Sequence, residues 1–187
     1  MYKTRAITKE EFIEIIDLIK KGGYLDAEPN EKVAFALVLE GNLCMRIGDI
    51  LNLSLSDIIK DGNRYHLQVI EEKTKKARTF TIPLEIYQYI QQYCIDNNIK
   101  RNDKIFNITT RQVQRVLKKA CDYLGLENVS THSFRKFGAT EIYIANDYDI
   151  MLVKEILQHA SVETTQEYLG IRQKRIEKAL QDHICLV

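Results

Sequence analysis

The stretch "LQHASVETTQEYLGI", residues 157–171, places a histidine and a tyrosine nine positions apart, on either side of a short polar segment. His159 is one of only four histidines in the 187-residue chain. The small and hydroxyl-bearing residues 161–165 predict a turn and a helix start, so Tyr168 falls on a short helix at about 162–168. Two interpretations follow from these residues alone. Tyr168 packs within a helix pair, or it carries chemistry.

The composition indicates one globular domain with its own hydrophobic core. Hydrophobic residues make up 45% of the chain, and no Gly/Ser-rich or Pro-rich linker divides it. No apolar run approaches the length of a membrane span, and the start "MYKTRAITKEEF" has no apolar region typical of a secretory signal. We therefore expect a cytoplasmic protein without a membrane segment.

The cysteines and histidines predict neither disulfides nor a metal site. The four cysteines are scattered without a CxxC pair, and no histidine begins a pattern such as HExxH. The protein is therefore expected to work with reduced thiols and without a metal or other cofactor.

The charge of the chain is nearly balanced, with 27 basic and 26 acidic residues and a net charge of +1. Bulk electrostatics then gives no reason to bind nucleic acid, so any such binding must come from local patches. Two candidate patches are Lys73, Lys75, Lys76 and Arg78 in "EEKTKKARTF", and Arg111, Arg115, Lys118 and Lys119 in "RQVQRVLKK". Each patch is equally consistent with an ordinary solvated face.

The spacing of apolar residues predicts a mainly α-helical domain with a small antiparallel β-sheet, an α+β fold. A capping box of Thr8 and Glu11 begins the first helix, which ends at Gly22-Gly23. A very apolar helix follows from Glu31 to about Leu43, and "RIGDILNL" predicts a shorter helical segment. The segments "RYHLQVI" (64–70) and "RTFTIPL" (78–84) predict a β-hairpin with a lysine-rich tip. Further helices are predicted at roughly 85–96, 110–124, 132–145, 149–158 and 162–168, followed by a charged tail helix at about 171–182.

The segment "STHSFRKFGAT", residues 130–140, predicts a helix N-terminus suited to a phosphate. Ser130 or Thr131 can cap the helix, which puts His132 in the first turn and Arg135 three residues later on the same face. Free backbone N–H groups and the guanidinium fork both favour phosphate oxygens. The alternative is a surface arginine beside a structural histidine.

Arg46 lies in the apolar sequence "LCMRIGDIL", where an arginine must be paired to be buried. Asp49, three residues later, is the predicted partner. The pair either joins two helices or orients Arg46 for an anion.

Tyr168 needs nearby positive charge or a base to act as a nucleophile, because a phenol with a pKa of about 10 is a poor nucleophile at neutral pH. The arginines and histidines named above would supply that charge.

Taken together, the arginine after an apolar helix, the basic hairpin, the HxxR helix and the His–Tyr pair resemble the catalytic domain of the tyrosine recombinases, the phage-integrase family. The resemblance runs from about Val33 to Leu169. The family motifs TGxRxxE, a hairpin lysine, HxLRH and LGHxxxxTTxxY correspond here to "LCMRIGD", "EEKTKKARTFTIPL", "HSFRK" and "LQHASVETTQEY". The last match is the most specific, because it includes both threonines as well as His159 and Tyr168.

The resemblance implies an enzyme that breaks and rejoins double-stranded DNA without a metal, as a tetramer assembled on DNA. A monomer stays possible in the absence of DNA. Arg46 and Arg135 would clamp the scissile phosphate, while His132 and His159 would hydrogen-bond it and assist proton transfer. Tyr168 would attack the phosphate and form a 3′-phosphotyrosine.

The hairpin lysine would protonate the leaving 5′-hydroxyl. Lys73 is the predicted lysine, because "KT" after a strand matches its usual setting, and Lys75 is the alternative.

Two other functions of the same fold stay open: DNA relaxation of the type IB topoisomerase kind, and DNA binding without catalysis. The occupation of all six catalytic positions favours an enzyme, in a bacterial or mobile-element setting such as DNA integration.

The chain departs from the family pattern beside several of these residues. Leu43-Cys44 replace the usual Thr-Gly, Asp49 replaces the commoner Glu, Lys136 replaces a frequent histidine, and Gln158 replaces the usual Gly. None of these changes removes a catalytic group, so an active enzyme is expected.

Residues 1–187 are expected to form a single catalytic domain, without the N-terminal DNA-clamping domain that full-length family members carry. The amphipathic tail helix at about 171–182 either docks on a neighbouring subunit or packs on its own domain. We also expect Arg135→Ala to abolish DNA cleavage with little change in thermal stability.

Overall fold

The computed structural model describes residues 4–72, 75 and 77–184, and within helix α9 it leaves out the side chains of 172–175 and 178. The helices in this part of the chain are α1 (Lys9–Lys21), α2 (Glu31–Leu43), α3 (Ile47–Leu51), α4 (Leu84–Asp96), α5 (Thr110–Tyr123), α6 (Thr131–Ala145), α7 (Ile150–Leu157), α8 (Val162–Leu169) and α9 (Ile171–Asp182). The strands are β1 (Ile58–Asp61), β2 (Arg64–Ile70) and β3 (Ala77–Ile82). The predicted mainly helical fold with a small antiparallel sheet is confirmed.

Helix α1 begins at the capping box that the sequence predicts. The backbone N–H of Glu11 donates to the hydroxyl of Thr8 at 3.2 Å, and the N–H of Thr8 donates to the Glu11 carboxylate at 2.9 Å. Gly22 ends the helix with a φ of 65°. The two caps fix the bounds of the helix, and its isoleucines at 15, 16 and 19 are buried in the core.

Helix α2 is the central helix of the core, because it is apolar on nearly all sides. It packs against α6 at very short range. A Cβ atom at Gly138 of α6 would lie 1.8 Å from the carbonyl oxygen of Gly41 in α2, so only glycine allows this approach. The contact brings the C-terminal end of α2 beside α6, which carries the HxxR motif.

The sheet has three antiparallel strands in the order β1-β2-β3. The predicted hairpin is the β2–β3 pair, in which Leu67 lies opposite Phe80. The sequence reading missed β1, whose Ile58 lies opposite Leu67 on the other side. The turn "DGN" before β2, with Gly62 at a φ of 55°, was the available signal, because such residues favour tight hairpin turns. Lys73, Thr74 and Lys76 at the hairpin tip lie outside the described residues.

No helix in the described ranges is both long enough and apolar enough to cross a membrane.

Candidate active site

Helices α2 and α7 end at the candidate site, and the residue that ends each has the left-handed backbone conformation. Cys44 follows α2 with a φ of 50°, and Gln158 follows α7 with a φ of 54°. These are the two positions at which the family motifs carry glycine. The left-handed conformation costs a residue with a Cβ atom about 1–2 kcal/mol, which explains the preference for glycine. The present chain keeps the backbone turn with a cysteine and a glutamine.

Arg135 is buried and bridges these two helix ends. Its Nε donates to the carbonyl oxygen of Cys44 at 2.9 Å, and its Nη2 donates to that of Leu157 at 3.0 Å. Carbonyls at a helix C-terminus carry partial negative charge and stabilise a cation. With only 2% of its surface exposed, Arg135 is part of the fold as well as of the site. These contacts argue against the expectation that Arg135→Ala would leave stability almost unchanged, because alanine would leave both carbonyls without these donors.

Arg78 also contacts the ends of α2 and α7. In each case it binds the carbonyl of the residue that precedes the one bound by Arg135. Its Nη2 donates to the carbonyl oxygen of Ile156 at 2.6 Å and to that of Leu43 at 3.5 Å. The sequence reading placed Arg78 in an exposed basic patch, but only 4% of its surface is exposed. The alternation along β3 explains the error: Arg78 lies on the same face as Phe80 and Ile82, which point toward the core. Lys75, from the same predicted patch, is exposed.

Arg46 is paired mainly with Glu71 rather than with Asp49. Its Nη1 lies 2.6 Å from Glu71 Oε2 and 3.9 Å from Asp49 Oδ2. Asp49 instead accepts the backbone N–H of Glu72 at 2.8 Å and so holds the end of β2. Asp49 was the predicted partner because it lies within one helical turn of Arg46. Glu71 lies 25 positions away and comes close only when the hairpin packs on α3.

His159 is oriented by the second threonine of the "TTQEY" segment. Its Nδ1 lies 3.1 Å from the hydroxyl of Thr165, and that hydroxyl donates to the carbonyl oxygen of Ser161 at 3.3 Å. We therefore assign the ring proton to Nδ1, which leaves Nε2 as an acceptor. Burial lowers the pKa of His159 to about 4, and the positive charges of Arg135 and Arg46 act in the same direction. The imidazole is neutral at pH 7.

Tyr168 packs between His159 and two cations. Its ring centroid lies 5.2 Å from that of His159 in an edge-on arrangement, 6.0 Å from the Arg135 guanidinium carbon and 5.1 Å from Lys136 Nζ. The phenolic oxygen is buried and has no hydrogen-bond partner among the described residues. Burial raises the pKa of the phenol, and the charge of Arg135 opposes this only in part. The expected activation of the phenol by nearby cations is therefore outweighed by burial in this arrangement.

His132 lies in the first turn of α6, as the sequence predicts, and its side chain is exposed. It lines an open cleft of about 530 Å³ together with Arg46, Asp49 and Lys75. Arg135, three residues later, has only 2% of its surface exposed and is not among the residues that line this cleft. That His132 and Arg135 serve one ligand stays a prediction.

The sequence-predicted residues thus fall into two adjacent groups. Arg135, His159 and Tyr168 pack together, while Arg46 and His132 line the neighbouring cleft with the alternative lysine, Lys75. Arg46 joins the groups electrostatically, because its charge acts on both His159 and Tyr168. The predicted lysine, Lys73, lies outside the described residues. The second predicted patch, Arg111, Arg115, Lys118 and Lys119, is exposed along α5.

Glu40 is a buried acidic residue that the sequence reading did not single out. It is the one acid inside the apolar run of α2, and neither carboxylate oxygen has a well-aligned hydrogen-bond partner in the described part of the chain. Burial raises the pKa of its carboxyl well above the usual range, while Arg135 and the backbone N–H of Ile47 oppose this in part. A charged residue in an otherwise apolar helix was the sequence signal for such a group.

Within the described ranges, no three His, Cys, Asp or Glu side chains are grouped so as to hold a metal ion.

The fold and the grouping of arginines, histidine and tyrosine define a tyrosine recombinase catalytic domain. A family model described as "Phage integrase family" matches residues 5–175, and the chain belongs to this family.

Known proteins similar to the chain include integrases and recombinases. The probable integrase/recombinase YoeC of Bacillus subtilis is 34% identical over 149 residues, which cover 76% of this chain and 79% of YoeC. The XerH recombinase, solved bound to its palindromic difH substrate after cleavage, has a TM-score of 0.70 at 22% identity, over 96% of this chain and 53% of XerH. The catalytic domain of bacteriophage HP1 integrase has a TM-score of 0.65 at 18% identity, over 97% of this chain and 96% of that domain. Against other curated recombinases the chain spans 45% to 61% of their length.

Proposed function

We propose that this chain is the catalytic domain of a site-specific DNA recombinase that cleaves and rejoins double-stranded DNA through Tyr168. The observation that carries the proposal is the packing of Tyr168 against Arg135 and His159 in a member of this family. A phosphodiester needs cationic donors on its oxygens and a nucleophile on one side, and this group provides both.

In the proposed reaction, Tyr168 Oη attacks the scissile phosphorus and the bond from phosphorus to the 5′ oxygen breaks. Arg46 and Arg135 bind the non-bridging oxygens and stabilise the charge of the pentavalent transition state. His132 hydrogen-bonds the phosphate from the cleft, and the neutral His159, with Nε2 available, accepts the phenolic proton. The product is a 3′-phosphotyrosine, which conserves the bond energy, so that rejoining needs no ATP.

The buried phenolic oxygen of Tyr168 adds a requirement for a structural change. Its oxygen has no partner among the described residues and its pKa is raised by burial. DNA binding therefore has to move α8 so that the phenol reaches the phosphate. Assembly as a tetramer on DNA belongs to the same proposal.

The proposal is tested by incubating the protein with a nicked suicide substrate of its cognate site in the presence of EDTA. We expect a covalent protein–DNA adduct that resists SDS. Tyr168→Phe should form none, while the matched control Tyr148→Phe should form as much as the parent, because Tyr148 is 63% exposed and lies outside the site. If the parent forms no adduct, or Tyr168→Phe forms as much, the proposed function is wrong.

The same assay identifies the general acid among the hairpin lysines. We propose that Lys73 protonates the leaving 5′ oxygen, with Lys75 as the alternative. A substrate with sulfur in place of that oxygen releases a thiolate, which needs no proton from the protein. This substrate should restore cleavage to Lys73→Ala, whereas restoration of Lys75→Ala alone would assign the role to Lys75.

Strand exchange and DNA relaxation are separated by their products. A recombinase joins two sites into recombinant DNA, whereas a topoisomerase-like enzyme relaxes a supercoiled plasmid without exchanging strands. Relaxation without any recombinant product from two cognate sites would contradict the recombinase assignment.

A further inference from the structure

Arg78 contacts three parts of the site although it is too deeply buried to touch DNA. Its side chain donates to the ends of α2 and α7, and its Nη1 lies 3.6 Å from Glu71 Oε1. Helix α7 leads directly into Gln158 and His159, so its end sets the starting point of the histidine segment. The strand that carries Arg78 is one arm of the basic hairpin.

Glu71 links Arg78 to the cleft. Its side chain is 1% exposed and lies between two guanidinium groups, with Arg46 Nη1 at 2.6 Å on one oxygen and Arg78 Nη1 at 3.6 Å on the other. A buried carboxylate that is shared by two cations is held far more firmly than one on the surface. At 3.6 Å the contact between Glu71 and Arg78 is an ion pair and not a hydrogen bond, so Arg78 acts through its charge on the carboxylate that pairs with Arg46.

Glu71 is also the residue at which the hairpin tip begins. It directly follows β2, and its carbonyl oxygen accepts the backbone N–H of Lys75 at 2.9 Å. Arg78 lies opposite Val69 in the β2–β3 register, so the Glu71–Arg78 pair closes the base of the tip. Lys75, the described lysine of the tip, is joined to the cleft through this base.

We propose that Arg78 is a positioning residue, which fixes Arg46 through Glu71 and anchors the lysine hairpin to the ends of α2 and α7. Its effect on DNA cleavage rests on the proposed function. The effect of Arg78 on the hairpin is independent of the proposed function, and the effects on cleavage and on the hairpin are measured separately.

The effect on Arg46 is tested by a double-mutant cycle on the rate of adduct formation with the suicide substrate. Arg78→Met should lower the rate about 10- to 100-fold, since a displacement of about 1 Å in a catalytic group can cost that much. In an Arg46→Ala background the same change should cost clearly less, because one of the groups that Arg78 positions is gone. In a His132→Ala background the full loss should persist. Equal losses in both backgrounds would overturn the link to Arg46.

Glu71→Gln keeps the link measurable if Arg78→Met fails to fold. Glutamine has the same shape and leaves Arg78 on its helix-end carbonyls, but it removes the charge between the two guanidiniums. It should stay folded but melt below the parent temperature, because two guanidinium groups lose their counter-charge, and it should show the same dependence on Arg46. The control is Arg64→Met, which removes an exposed arginine from the same sheet and should cleave at the parent rate. An unchanged rate in Glu71→Gln would contradict the proposal.

The effect on the hairpin is tested without DNA by the initial rate of tryptic cleavage after Lys73, Lys75 and Lys76. Glu71→Gln and Arg78→Met should raise this rate about tenfold over the parent and over Arg64→Met, because cleavage follows the population of the opened tip. Unchanged rates in both variants would refute the anchoring role. If the parent forms no DNA adduct but the two variants are still cut faster by trypsin than the parent, the proposed function fails while the anchoring role stands.

Discussion

Replacing Gln158 by glycine should stabilise the protein, although the residue lies beside His159 of the candidate site. Gln158 ends α7 in the left-handed conformation, with a φ of 54° and a ψ of 40°. Its side-chain oxygen is buried and finds no hydrogen-bond partner among the residues described. Glycine removes both the strain of the Cβ atom and the unpaired amide.

The magnitude follows from three contributions. Relief of the left-handed strain contributes about 1–2 kcal/mol. The greater freedom of glycine in the unfolded chain costs about 0.4–1 kcal/mol. Removal of the buried unpaired oxygen adds up to about 1 kcal/mol, at the low end of the usual range. We expect a net gain of about 1–2 kcal/mol in the free energy of unfolding, or about 2–8 °C in melting temperature for a domain of this size.

Urea unfolding at pH 7.5 measures the change, and two variants control it. Gln158→Ala keeps the Cβ atom and removes the amide, so it separates the strain from the unpaired oxygen. Gln166→Gly makes the same exchange inside α8 and should destabilise by about 0.5–1 kcal/mol. If Gln158→Gly unfolds at the same or a lower urea concentration than the parent, the explanation of glycine at this position is wrong.

Three further predictions concern buried titratable groups. Tyr168→Phe should leave the melting temperature unchanged or raise it, because the phenolic oxygen that it removes is buried without a partner in the described structure; a clear loss of stability would indicate a hidden partner. Because His159 titrates at about 4 when folded and at about 6.5 when unfolded, the unfolded state binds more protons between these values. Stability should thus fall as the pH drops from about 6.5 to 4, and His159→Gln should flatten this slope in urea titrations at pH 7, 6 and 5. The pKa of Glu40 is raised in the folded protein, so Glu40 destabilises the fold increasingly as the pH rises above the pKa of the unfolded chain. Glu40→Leu should therefore add about 1–3 kcal/mol to the free energy of unfolding at pH 8 and less at pH 5. An equal gain at both pH values would contradict the raised pKa of Glu40.

The elements of the fold were largely predictable, because they depend on neighbours along the chain. The capping box at Thr8 and Glu11, the apolar run of α2 and the alternation of β2 are local patterns with local causes. Strand β1 was missed because it is only four residues long and just one of them is buried, which leaves no alternation to recognise.

The candidate site residues likewise lie in short motifs. "LQHASVETTQEY" marked His159 and Tyr168 before their surroundings were known, and the structure packs their rings together. The local search failed for Arg46, because its main partner, Glu71, is set by the hairpin and not by the helix that follows.

The sequence by itself determined the element types, the family and the residues to examine. Only the tertiary structure determined how those residues are held and which protons they carry. Arg135 binds a carbonyl 91 positions away and Arg78 one 78 positions away, and such pairs exist only after α2, α7 and the hairpin have packed. The low pKa of His159 and the raised pKa of Tyr168 come chiefly from burial. Burial depends on everything packed around a side chain, and no motif within a few residues of it encodes that.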